Sequence, residues 1–263
     1  MKQTKLVKKL SGLLSQLKCN RYLHHFGPKK YKFLDHAFAL LIKEVCQMSF
    51  RRLSNFLTDL GLNCPTFSAL CKSRKRIPLS IWQRLLKLTA GLSSGEIAID
   101  GTGYHKSNPS FHYIKRIDRK VPTKGYVKLS ALTDVKTKKF RMIRIRAKQR
   151  HDMKDVGYLL KRDDSVAVLY GDTGYCAEWL HEFCYWNGIK TVIKPRKNFK
   201  RGHFRKKQLK NFEDYNYNLR SNIECGFSCI KRKYGSGVKS RKITGLRAEL
   251  FLRAIAHNLE LAS

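Results

Sequence analysis

The sequence predicts an α/β fold in which a mixed sheet flanked by helices follows an all-α N-terminal region. Three observations carry this reading. Apolar residues recur at helical spacing through the first 95 residues, the pattern turns from Glu96 to the alternation and short apolar runs of strands, and after three strands the helices and strands alternate. At 263 residues the chain exceeds the roughly 100–150 of a common single domain, so a helical region over 1–95 and a second domain over 96–263 are expected.

In the first region, Phe33 to Val45 is apolar at helical spacing, as are Phe50 to Leu60 and, after Pro78, Leu79 to Ala90. Between them Pro65 and Thr66 open a short helix that ends in the cluster Lys72, Arg74, Lys75 and Arg76. This pair resembles a helix-turn-helix, whose basic second helix suits a major groove; a solvated helix face explains the charges equally well. In the second domain EIAID ends at Asp100, and YVKLSALTD (126–134) and FRMIRIRAK (140–148) form a hairpin around VKTKK. Then come a helix over His151–Lys161, the strand SVAVLYGD ending at Asp172, a helix over Ala177–Trp186 stopped by Gly188, and the strand IKTVIKP. Three consecutive strands followed by alternation imply a sheet antiparallel at first and parallel later. That order is compatible with a ribonuclease H-like fold.

The composition bounds the partner. There are 55 Lys and Arg against 19 Asp and Glu, a formal charge of +36, which points to a polyanion because each neutralised phosphate releases a counterion. Hydrophobic residues make up 42% and aromatics 11%, more than a disordered basic tail carries. The longest nearly apolar stretch, Ala37 to Ile42, falls far short of the ~20 residues of a spanning helix. Lys8 and Lys9 interrupt any secretory leader, so a cytoplasmic, nucleoid-associated protein with no membrane partner is expected. The eight cysteines contain no C-x2-C pair and read as buried hydrophobes rather than a zinc site.

The charge is unevenly spread. Residues 1–95 hold 18 basic and 3 acidic side chains, 96–194 hold 20 and 11, and 195–263 hold 17 and 5. A chain that only coats phosphates has no use for carboxylates, so the middle section suggests chemistry. Segment 195–216 is dense in Lys and Arg with interleaved aromatics and reads as a DNA-contacting linker, with Lys197, Lys200, Arg201, Arg205, Lys206 and Lys207 as its contacts.

Asp100 and Asp172 each close a strand before a glycine or turn, where oxygen ligands for Mg²⁺ or Mn²⁺ gather, although either could be a helix cap or turn former. After Asn216 the chain reads as a helix ending near Gly235. At ~100° per residue Tyr217, Arg220, Glu224 and Lys231 fall in one polar stripe, and Ile223, Phe227 and Ile230 in a separate apolar one. Glu224 can complete a carboxylate triad; an ordinary i,i+4 pair with Arg220 is the plainer alternative.

The spacing Y-x2-R-x3-E-x6-K, met by Tyr217, Arg220, Glu224 and Lys231, resembles the signature around the catalytic glutamate of insertion-sequence DDE transposases of bacteria and archaea. AIDGTGY around Asp100 and YGDTGY around Asp172 look like that family's two aspartate motifs, and RHD at 150–152 like a stretch it often carries before the second. The resemblance spans roughly residues 30 to 260. It implies a ribonuclease H-like domain in which Asp100, Asp172 and Glu224 bind two Mg²⁺ or Mn²⁺ ions, with Tyr217, Arg220 and Lys231 gripping phosphate. It also implies double-stranded DNA as substrate, at element ends and at the target, a homodimer pairing two ends, and no small-molecule substrate. The 51 residues between Asp172 and Glu224 leave no room for the large β-rich insertion of some relatives, so end recognition falls to residues 1–95 and the linker.

Overall fold

The structure, a computed structural model, describes residues 3–23, 29–106, 126–148, 150–196, 201–210 and 217–262. In chain order the helices and strands begin with α1 (Gln3–Gln16), α2 (Phe33–Val45), α3 (Phe50–Asp59), α4 (Phe67–Arg76) and α5 (Leu79–Ala90). They continue with β1 (Glu96–Lys106), β2 (Tyr126–Asp134), β3 (Phe140–Arg146), α6 (Met153–Leu160), β4 (Val168–Gly171), α7 (Glu178–Trp186) and β5 (Lys190–Ile193). The last are α8 (His203–Leu209), α9 (Ser221–Tyr234) and α10 (Ile243–Glu260). Two compact units result, one of Met1–Thr89 with Arg232–Ser263, the other Ala90–Lys231.

The helical unit differs from the sequence division in one respect: α10, expected with the sheet, packs against α2 and α4. Its composition explains this. From Leu246 to Leu259 nearly every residue is buried, and a helix apolar on most sides belongs in the middle of a bundle rather than on one face of a sheet. Caps set the short helices: Ser49 Oγ accepts from the Arg52 N–H at 3.2 Å, and Thr66 Oγ1 from the Ala69 N–H at 3.4 Å.

Burying α10 also buries charge. Arg253, 1% exposed, donates to Glu249 at 2.8 Å and to the carbonyls of Gly235 and Gly237 at 2.9 and 3.0 Å, and lies 3.6 Å from Glu44. Burial pushes the Glu249 carboxyl up, but the Lys239 N–H, Arg253 and the Ser240 hydroxyl outweigh it and hold the group below the ordinary carboxylate range.

In the second unit the sheet runs β3-β2-β1-β4-β5. β1 pairs antiparallel with β2 from Ile97↔Asp134 to His105↔Tyr126, and β2 antiparallel with β3. On its other edge β1 pairs parallel with β4 through Ala98↔Tyr170, and β4 parallel with β5. This mixed order is that of a ribonuclease H-like sheet, as the element order suggests. Ile97, Ile99, Leu132, Leu169 and Ile193 bury one face under Val156 and Leu159 of α6 and Leu180 and Cys184 of α7.

Residues 221–231 of α9 bring the predicted apolar stripe to the sheet: Ile223, Phe227 and Ile230 are all buried, and the Phe227 ring stacks on Phe140 at 5.6 Å. The helix comes close because residue 226 is glycine; a Cβ there would sit 3.1 Å from Phe140 Cζ. The linker also departs from expectation, because residues 203–209 form helix α8 where no periodicity is visible. Polar groups anchor it, beside the contact of Phe204 with Tyr185. Glu178 accepts from the Phe204 and Arg205 N–H groups at 2.8 and 3.2 Å, and Gln208 accepts from the Thr191 N–H at 3.3 Å.

Replacing Arg253 with Ala leaves Glu249 buried without the cation bonded to it, Glu44 keeping Lys43 at 2.6 Å, and a loss of about 3–5 kcal/mol follows. Urea denaturation of the two proteins at neutral pH measures it.

Candidate active site

Asp100 stands in mid-strand, a correction to the expected strand end: β1 runs on to Lys106. The two glycines after Asp100 permit the extension. A Cβ on Gly101 would collide with the Asp152 carboxylate, and one on Gly103 with the Tyr126 ring. By the two-residue period of a strand, Asp100 and Thr102 share the face opposite Ile97 and Ile99.

Asp172 does follow its strand. The last paired residues of β1 and β4 are Ala98 and Tyr170, and two residues further along each strand stand Asp100 and Asp172. Two parallel neighbours thus present carboxylates side by side on one face. Asp172 also caps the 3-10 turn Thr173–Tyr175, its Oδ1 accepting from the Gly174 N–H at 2.8 Å. That fixes the carboxylate and leaves Oδ2 for other partners.

Glu224 comes from α9. Its Oε1 accepts from Arg220 Nη1 at 2.6 Å, in the i,i+4 arrangement, with the glutamate side chain 52% exposed. The turn Asn218–Arg220 packs beside both β1 and β4. Lys231, two turns on from Glu224, donates to Thr102 Oγ1 at 2.6 Å and lies 5.3 Å above the Tyr104 ring. Burial pushes its ammonium down. Tyr217 places its ring 5.7 Å from the Arg220 guanidinium and 5.8 Å from the Lys194 ammonium.

The electrostatics tie these groups together. Burial pushes the Asp100 carboxyl up to about 6; the Gly101 N–H, donating at 2.7 Å, opposes the rise, the carboxylates of Asp172 and Glu224 add to it, and Arg220 opposes it. Asp172, Arg220 and Glu224 therefore all act on Asp100. Among the described residues, however, no group of three or more His, Cys, Asp or Glu is set to hold a metal ion as placed. The donor chemistry still fits a hard dication: carboxylate oxygens are the ligands Mg²⁺ prefers, and a cation beside Asp100 relieves the repulsion that raises it.

The remaining predicted contacts separate. Lys72, Lys75 and Arg76 are exposed on α4, but Arg74 is half-buried with its guanidinium 4.8 Å from the Phe50 ring. Arg201, Lys206 and Lys207 are exposed, whereas Arg205 is half-buried near Glu178 at 3.7 Å. Lys197 and Lys200 lie outside the described residues. One feature escaped residue-type reasoning. Lys128, nearly buried, pairs with Asp152 at 2.6 Å and also reaches the Arg150 carbonyl, which seats the Arg150–Asp152 stretch on the sheet face that carries α6. Only the resemblance had marked it.

A carboxyl raised from its ordinary value to about 6 costs stability as it ionises: the penalty is absent below the unfolded value near 4, grows to pH 6 and persists above. Asp100→Asn removes it, and the metal-free variant is expected to gain on the order of 1–3 kcal/mol at pH 7.5 and almost nothing at pH 4. Thermal melts in chelator at the two pH values check this.

The family described as "Transposase DDE domain" matches residues 93–259, well over half of the chain. No curated protein matches. Among solved structures, a piggyBac transposase, in a cryo-EM synaptic complex with hairpin DNA, aligns with a TM-score of 0.47 and 15% identity over 97% of this chain and 70% of that one. So distant a likeness assigns no residue a role. On the family match, the chain belongs to the transposase DDE domain family.

Proposed function

We propose that this protein is a transposase of an insertion sequence, binding the terminal inverted repeats and cutting and joining DNA strands with Asp100, Asp172 and Glu224 as its catalytic carboxylates. The observation that carries the reading is the parallel register that sets Asp172 level with Asp100 on neighbouring strands, with Glu224, bonded to Arg220, also acting on Asp100. The three carboxylates would hold two Mg²⁺ or Mn²⁺ ions, which when bound would supply activation of a water or 3′-hydroxyl and stabilisation of a phosphodiester's leaving oxygen.

The chain's own residues do the rest. Arg220 holds Glu224 through the 2.6 Å bond and has further N–H groups for a phosphate oxygen. Lys231 brings a cation to the same face through Thr102. Tyr217, flanked by Lys194 and Arg220, positions the backbone rather than attacking it, so no covalent protein–DNA intermediate forms. Exposed Lys72, Lys75 and Arg76 on α4, with Arg201, Lys206, Lys207 and the linker residues Lys197 and Lys200, supply duplex contacts; a homodimer brings two ends together. Arg74 and Arg205, engaged in packing, contribute less.

Incubating the protein with Mg²⁺ and DNA carrying the element's ends should give both nicked and joined products. Asp100→Asn, Asp172→Asn and Glu224→Gln should each lower cleavage at least roughly a thousandfold, the several kcal/mol a metal centre supplies. Cleavage without joining would point instead to a host nuclease of this fold. No cleavage by a folded, DNA-binding protein would mark a decayed remnant. Neutralising Lys72, Lys75 and Arg76 together should weaken duplex binding and flatten its log–log salt slope by about 0.9 per lost phosphate contact.

A further inference from the structure

We infer that the exposed aromatic surface of α7 and α8, built on Trp186, Tyr185 and Phe204, is a stacking site for an unpaired DNA base. It rests on the reading that DNA is the substrate, but not on the carboxylate site.

Trp186 is the last residue of α7 and is 71% exposed. An indole left in water forgoes about 1.5–3 kcal/mol of burial, and this one does not stand alone. Its ring centroid lies 5.4 Å from that of Tyr185 and 6.1 Å from that of Phe204, with Tyr185 and Phe204 themselves 5.4 Å apart. Trp179, two turns earlier on the same helical face, is 44% exposed. Trp186 thus offers an exposed indole flanked by the half-buried rings of Tyr185 and Phe204.

α8 is fixed so as to complete the patch. Glu178 receives its first N–H groups and Gln208 ties it to β5, which holds Phe204 against the α7 aromatics. Lys207 donates to the Tyr185 hydroxyl at 2.6 Å and sits 4.2 Å from the ring centroid. Lys206 and Arg201 are exposed on the same short segment. Of the α7 acids, Glu178 is occupied by α8, leaving Glu182 exposed.

Open aromatic faces rimmed by cations match the base and the phosphate of a single strand at once. Stable protein interfaces are depleted in lysine, and lysines edge this surface. A paired base has its faces covered by its neighbours, so the occupant is a base out of the duplex.

The test uses the full-length protein in chelator, so that cleavage plays no part. Tryptophan fluorescence is titrated with an oligothymidylate of about 16 nucleotides and, separately, with a blunt duplex. The oligothymidylate should quench the emission; Trp186→Ala should weaken its binding about tenfold while changing duplex affinity less than about twofold, and Trp186→Phe should keep most of the affinity and lose most of the quenching. Unchanged oligothymidylate affinity in a folded Trp186→Ala protein overturns the inference, as does an equal loss on duplex. Loss of self-association on sedimentation, with oligonucleotide binding intact, overturns it in favour of a contact between copies. Single-strand binding that depends on Trp186 stands even if no strand transfer is found, so the two readings fail separately.

Discussion

Strand β1 is hydrogen-bonded antiparallel to β2 and parallel to β4, and at this strand the sense of the sheet changes. Everything proposed for the site depends on that switch. The parallel neighbour places Asp172 level with Asp100, because two parallel strands in register keep equivalent positions adjacent. The antiparallel neighbour lets β1 run past Asp100, through the two glycines, to Thr102 and Tyr104, where Lys231 finds its partners. A fully antiparallel sheet would have sent the second carboxylate to the opposite end.

The treatment of acids elsewhere in the unit shows how unusual Asp100 is. Asp155 is buried against Arg146 at 2.6 Å and Arg144 at 3.2 Å and accepts from Ser130 at 3.0 Å. Asp163 holds Arg141 through two bonds. In both places a buried carboxylate is matched by guanidinium, as the cost of burying charge requires. Asp100 is bonded by one backbone N–H, and two further carboxylates act on it. Among the described residues no cation bonds this acid directly, which keeps its oxygens available.

Much of this was legible in the sequence because it is written in local periodicity. The limits of α2, α5 and β2 coincide with the apolar patterns read from the residues, and Ile223, Phe227 and Ile230 bury as the 100° spacing requires. What was not legible depends on partners distant in the chain. Whether β1 stops at Asp100 is decided by what lies over Gly101 and Gly103, namely Asp152 and Tyr126. The all-round apolar surface of α10 marks it for a buried place, but not that its partners are α2 and α4, about 200 residues upstream. Helix α8 has too little apolar periodicity to announce itself, since polar groups anchor it. Charge clusters also hide their members' fates: Arg74 folds over Phe50 while Lys72, Lys75 and Arg76 face water.

Gly226 carries no chemistry, yet the 3.1 Å gap to Phe140 ties the seat of Glu224 to the absence of a methyl group. Phe140 is wholly buried and stacked on Phe227, so it has little room to yield. A side chain there would lift the helix by a few tenths of an ångström, at a site where displacements approaching 1 Å can cost a hundredfold in rate. On the proposed reading, activity would then fall at a residue that touches neither metal nor DNA, with all three acids still in place.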